Sequence, residues 1–108
     1  MAGAKIVVIY PRPQDEAAFE DAYKNVHVPM CEQKLKGMNR LVATKVINSP
    51  QGETRTYRIA EMHFSTLEAL NACLSTPDAR EVVDHAVSIS TGGKPVLLIC
   101  EEETFLYW

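Results

Sequence analysis

The chain reads as an α+β protein of the ferredoxin-like type: a β-α-β-β-α-β subunit with a four-stranded antiparallel sheet and helices on one face. Three observations carry this reading. Continuous aliphatic runs, Ile6-Val7-Val8-Ile9 and Val96-Leu97-Leu98-Ile99-Cys100, mark strands near the two ends of the sequence. Between them, two segments with helical periodicity flank two strand-like segments joined by Ser49-Pro50-Gln51-Gly52, a run of turn-forming residues. The length of 108 residues fits one domain, taken as 1–108, and leaves no room for a separate cofactor domain.

The first strand is expected over Ala4–Tyr10 and stops at Pro11-Arg12-Pro13, because proline cannot donate to a sheet ladder. Asp15 or Gln14 can cap the helix that follows, with Ala18, Phe19, Ala22, Tyr23 and Val26 on its apolar stripe. Pro29 disfavours helical backbone at the residue before it, so a helix end or kink is expected at His27-Val28. A further turn around Met30–Leu35 would close at Gly37. The second strand is expected over Asn39–Asn48 and the third over Thr56–Phe64. Ser65-x-x-Glu68 reads as a capping box, and Thr76-Pro77 as the start of another helical piece carrying Val82, Val83, Ala86 and Val87. Thr91-Gly92-Gly93 ends it before a last strand over Pro95–Glu101. In this topology strand one is central and strand four lies at an edge.

Composition narrows the function. The chain is 46% hydrophobic and 23% charged, with a net charge of −3. That balance suits a globular domain and disfavours a nucleic-acid partner, which wants a basic face. No apolar run reaches the ~18 residues of a membrane span. Ile6–Ile9 is too short for a signal peptide, so a cytoplasmic location is expected. Three widely spaced cysteines, Cys31, Cys73 and Cys100, suggest neither a disulfide framework nor a zinc site. Strands one and four are apolar on both faces, yet helices cover only one. A homodimer packed sheet to sheet would cover the other. The aromatic tail Phe105-Leu106-Tyr107-Trp108 is expected to dock on the partner subunit, over a pocket mouth, or on its own chain.

Several motifs together resemble the EthD family within the dimeric α+β barrel superfamily. They are Tyr10-Pro11-Arg12-Pro13 with Asp15 and Phe19, Tyr23-x-x-x-His27-Val28-Pro29, Tyr57-Arg58-Ile59-Ala60-Glu61-Met62-His63-Phe64, Ser75-Thr76-Pro77 and Thr91-Gly92-Gly93. The resemblance spans nearly the whole chain. It implies a ferredoxin-like subunit, a homodimer whose sheets form a barrel, and a role in small-molecule metabolism of the ether, xenobiotic or polyketide type. Related barrels include oxygenases without metal or flavin, lactone isomerases, cyclases and haem-handling enzymes, so the family implies fold more firmly than reaction.

His27 is the leading catalytic candidate, as general base or acid, with Tyr23 one helical turn before it as an orienting partner. It could equally cap the helix end. Tyr10, Met30 and Met38 are candidate substrate contacts, or ordinary core. Glu61 and His63 alternate onto one face of the third strand with Tyr57 and Ile59, and are candidates for substrate binding or for a polar dimer contact. Two such residues do not make a metal site. Arg58 and Arg40 read as acidic-substrate contacts or surface charges, and His85 as solvated. A nucleophilic Cys31 would label with iodoacetamide faster than Cys73 and Cys100. No cofactor is expected. The two main readings are a cofactor-independent oxygenase, isomerase or cyclase with a histidine base, and a non-catalytic binding or accessory protein for an apolar metabolite or partner oxygenase. Haem binding through a histidine is a third.

Overall fold

The computed structural model describes residues 3–108. Its elements are β1 (Gly3–Pro11), α1 (Glu16–Ala22), a π-helical turn (Tyr23–His27), α2 (Val28–Lys34), β2 (Arg40–Lys45), β3 (Thr56–Phe64), α3 (Leu67–Leu74), α4 (Pro77–Ile89) and β4 (Val96–Glu102). The sheet order is β2-β3-β1-β4 and every pairing is antiparallel. The ferredoxin-like α+β fold, the central β1 and the edge position of β4 are therefore as expected.

Alternation decides which residues meet the helices. In β1, Ala4, Ile6, Val8 and Tyr10 are buried, while Lys5, Val7 and Ile9 are half-buried on the open face. The continuous Ile6–Ile9 run thus splits between a helix-covered face and one that no element among the described residues covers. The strand at the edge is more exposed still: Val96 is 50% and Ile99 56% accessible.

The first helix departs from its predicted ending. Asp15 caps it by accepting from Ala18 N–H at 3.0 Å. The chain then passes through Tyr23–His27 as a π-turn, in which Val28 N–H donates to Tyr23 O, and continues as α2. Pro29 stands in the first turn of α2, where its missing N–H matters least. The π-turn absorbs the break by changing the hydrogen-bond register, so the helical path continues. It also shifts the buried face. Phe19, Tyr23 and His27 point inward, whereas Val26, expected on the stripe, is 49% exposed.

Three further expectations are corrected. The cap of α3 is Thr66, which accepts from Ala69 N–H at 3.1 Å, while Ser65 accepts from the Asn39 side chain. The second strand ends at Lys45, short of Asn48; Val46 N–H still reaches Tyr57 O before the chain enters the turn around Gly52, whose φ is +107°. The β1–β3 register shifts between Tyr10 and Pro11, opposing two β3 residues to one of β1. This bulge swings Tyr57 off the Ile59–Glu61–His63 face and onto Phe19, with ring centroids 5.6 Å apart.

Candidate functional site

The helix-covered face carries the candidate site. Phe19, Tyr23 and His27 form a stack: Phe19–Tyr23 centroids lie 5.4 Å apart and Tyr23–His27 6.0 Å, both pairs 17° from parallel. Tyr10 meets Phe19 and Tyr23 edge-on from β1. His27 is only 4% exposed. Its Nε2 lies 3.4 Å from the Tyr10 hydroxyl, and its Nδ1 lies 2.8 Å from His85 Nδ1 on α4. Burial, reinforced by His85, lowers the His27 pKa to about 4, so the imidazole is neutral at pH 7. Burial also holds the Tyr10 hydroxyl well above the ordinary tyrosine range, so it stays protonated.

Tyr23 touches His27 through its ring. Its hydroxyl is buried and has no hydrogen-bond partner among the described residues, and burial pushes its pKa up to about 12. The groups that orient His27 by hydrogen bonding are therefore Tyr10 and His85. His85 does not belong to a solvated face: its ring lies 14° from parallel to His27, at 5.1 Å. A signal for it was present in the sequence, because Val82, His85, Ala86 and Ile89 share one stripe at i, i+3, i+4, i+7 spacing.

Among the described residues, His27 is the one polar residue lining a small cavity between helices and sheet, whose other walls include Ile6, Val8, Leu35, Met62 and Leu97. Its volume is about 20 Å3, room for roughly one water molecule, so a larger guest must widen it. Met30 and Met38 pack against the core and do not line this cavity. Two larger grooves, of about 810 and 620 Å3, lie around Arg12 and the 47–55 loop, away from His27. Cys31 is 1% exposed, and burial raises its thiol pKa to about 12, which opposes the nucleophile reading.

Arg58 is a buried anchor, 5% exposed, and not a surface charge. Its guanidinium grips Glu20 of α1 through Nε at 3.0 Å and through Nη2, and its Cζ sits 5.3 Å from the Tyr23 ring centroid. Tyr57 O–H adds a donor to the same carboxylate at 3.1 Å. The Arg58 hydrogen bonds, aided by Tyr57, draw the Glu20 pKa down to about 2 against the opposing effect of burial.

Glu61 and His63 stand on the opposite face of the sheet and are not brought together with His27. Lys5 donates to Glu61 at 2.9 Å and lies 3.5 Å from Glu102. His63 Nε2 lies 3.2 Å from Glu61, and the Arg40 guanidinium lies 3.3 Å from the same nitrogen. The Lys5 hydrogen bond, first among its causes, lowers the Glu61 pKa. No group of three or more His, Cys, Asp or Glu among the described residues is placed to hold a metal ion. No helix among them is long and apolar enough to cross a membrane.

The family model of the EthD domain matches residues 11–89. The chain belongs to the EthD family. A structure of an EthD-family protein from Bacillus halodurans is 29% identical, with a TM-score of 0.84 over 94% of this chain and 99% of that one. The chain is also 24% identical, over 94% of its length and 97% of the relative's, to an uncharacterised 11.0 kDa protein from the thcB–thcC intergenic region of Rhodococcus erythropolis. SnoaB, a cofactor-independent oxygenase from Streptomyces nogalater, shares the fold at 11% identity, with a TM-score of 0.61 over 97% of this chain and 95% of its own. Membership of the EthD family accounts for the agreement between motif order and topology.

Proposed function

We propose that this EthD-family protein acts in small-molecule metabolism, on a neutral apolar compound with an acidic C–H or O–H proton, using His27 as general base and then acid. The observation that carries this reading is a neutral imidazole in the wall of an otherwise apolar cavity. Apolar walls suit a neutral substrate, and a base whose conjugate acid is disfavoured by burial suits a substrate that surrenders its proton readily. The stacked Tyr23 ring fixes the imidazole plane, and the Tyr10 hydroxyl at 3.4 Å is a weak contact that a substrate donor can replace. Reactions that begin by removing such a proton include oxygenation, isomerisation and cyclisation; the fold shared with SnoaB, a cofactor-independent oxygenase, supports the first.

The working unit on this reading is a homodimer formed over the open sheet face. Val96 and Leu98 on the exposed side of β4, and tail residues from Phe105 at 70% to Trp108 at 102% exposure, are apolar surface that a second copy would cover. Solution mass of the chain with and without residues 104–108 tests the assembly and the tail's part in it.

The reaction is tested with a phenyl-substituted 1,3-diketone in D2O, following loss of its acidic C–H signal by NMR. Catalysed exchange is expected in the wild type, falling by about 100-fold or more in His27→Ala. Exchange at the buffer rate in the wild type would remove the catalytic reading. Saturable binding of the same probe without exchange would favour the second reading, a carrier or accessory protein, which the nearly all-aliphatic cavity wall supports.

A further inference from the structure

We propose that His85 is the proton outlet of His27, passing a proton between the buried imidazole and water. The inference rests on the reading of His27 as the base and adds His85, which the sequence analysis read as solvated. Three observations meet in it. His27 is 4% exposed, so its ring has almost no contact of its own with water. His85, on a different element, is half-buried, and so reaches solvent where His27 does not. The two Nδ1 atoms are 2.8 Å apart, a separation at which one proton must lie between them.

Hydrogen-bond bookkeeping gives two linked tautomers. In one, Tyr10 O–H donates to His27 Nε2, and His27 Nδ1–H donates to His85 Nδ1. In the other, His85 Nδ1–H donates to His27 Nδ1, and His27 carries its proton on Nε2. Passage between them is the proposed step. Substrate gives its proton to His27 Nε2, forming one N–H bond. His27 Nδ1–H breaks, and its proton forms the N–H bond at His85 Nδ1. His85 Nε2–H releases its proton to water. His27 is then neutral again, with a proton on Nε2 ready for the product. Water returns a proton to His85 Nε2 as His85 gives Nδ1–H back, which restores the starting state. No oxidant or metal enters, and the deeply buried ring need not hold a lasting positive charge, which its environment disfavours.

The test uses 15N-labelled protein without substrate. Imidazole spectra of the wild type are expected to show one proton shared between the two Nδ1 atoms. Protons on Nε2 of both rings, with none between the Nδ1 atoms, would overturn the proposal. The second arm measures exchange of the His27 ring proton with water by magnetisation transfer. His85→Asn keeps an acceptor facing His27 and removes the titratable ring. Exchange is expected to slow by about 100-fold, the low end of what a positioned proton carrier contributes. An unchanged rate would assign His85 a packing role alone. If His85→Asn does not fold, the wild-type spectrum decides. Failure of the diketone assay alongside a slowed ring exchange would sink the base assignment and leave the outlet standing.

Discussion

His27 and His63 occupy opposite faces of one sheet and are almost equally hidden, at 4% and 6% exposure. Their surroundings differ in kind. His27 meets two phenol rings, a second imidazole and aliphatic walls, with no carboxylate among its hydrogen-bond partners. His63 sits among Glu61, Glu102, Arg40 and Lys5. Exposure alone therefore says little about a histidine. The first, on the proposed function, is the group that moves a proton at an apolar surface. The second belongs to an ion network on a face that a second copy of the chain is proposed to cover.

The largest effect should come from the anchor beneath the covered face. Glu20→Ala leaves the Arg58 guanidinium buried without its partner and should cost about 3–5 kcal/mol in urea unfolding. A loss below about 1 kcal/mol would mean that Arg58 reaches water in solution, and the contrast between the faces would weaken.

A pH effect of up to about 3 kcal/mol follows from His27. Its folded pKa is lowered to about 4 from an ordinary 6.5. The neutral form is favoured in the fold, so this stability is fully present above about pH 6.5 and is lost as pH falls toward 4. Glu20, drawn from 4.5 to about 2, adds a second loss at lower pH. Melting temperatures across this range should fall in two stages, and His27→Gln should flatten only the upper one. A retained upper stage would transfer it to another group.

Tyr23→Phe should raise stability by about 1 kcal/mol, because it removes a buried hydroxyl with no partner. Destabilisation instead would reveal a partner such as bound water. The smallest effect is expected on the open face: Lys5→Ala breaks contacts to Glu61 and Glu102 that remain partly exposed, and should cost no more than about 1 kcal/mol in the isolated chain. A larger loss that depends on protein concentration would place this network inside the dimer contact.

What could be read without the structure was what repeats locally. The third strand's limits, the Thr76-Pro77 start and the strand topology followed from periodicity and turn residues. The misses share one cause: they depend on partners distant in sequence or on single-residue shifts in register. Glu20 and Arg58 are 38 residues apart, and His27 and His85 are 58 apart. No helix-face count separates Val26 from His27 once a π-turn intervenes, nor Tyr57 from Ile59 across a bulge. His27 itself was singled out from the Tyr-x-x-x-His-x-Pro pattern, but Tyr10 and His85, which contact its nitrogens, come from other elements.

Leu97 carries a further consequence. It lines the small cavity, yet it belongs to β4, the edge strand, and is 38% exposed. A guest that enlarges the cavity toward Leu97 must press on that strand, beside the surface assigned to a second subunit. On the proposed function, a ligand that binds the dimer better than the monomer would tighten the dimer, and dimerisation would strengthen its binding by the same factor. Affinity would depend on how concentrated the protein is, and titrations in dilute solution would understate it.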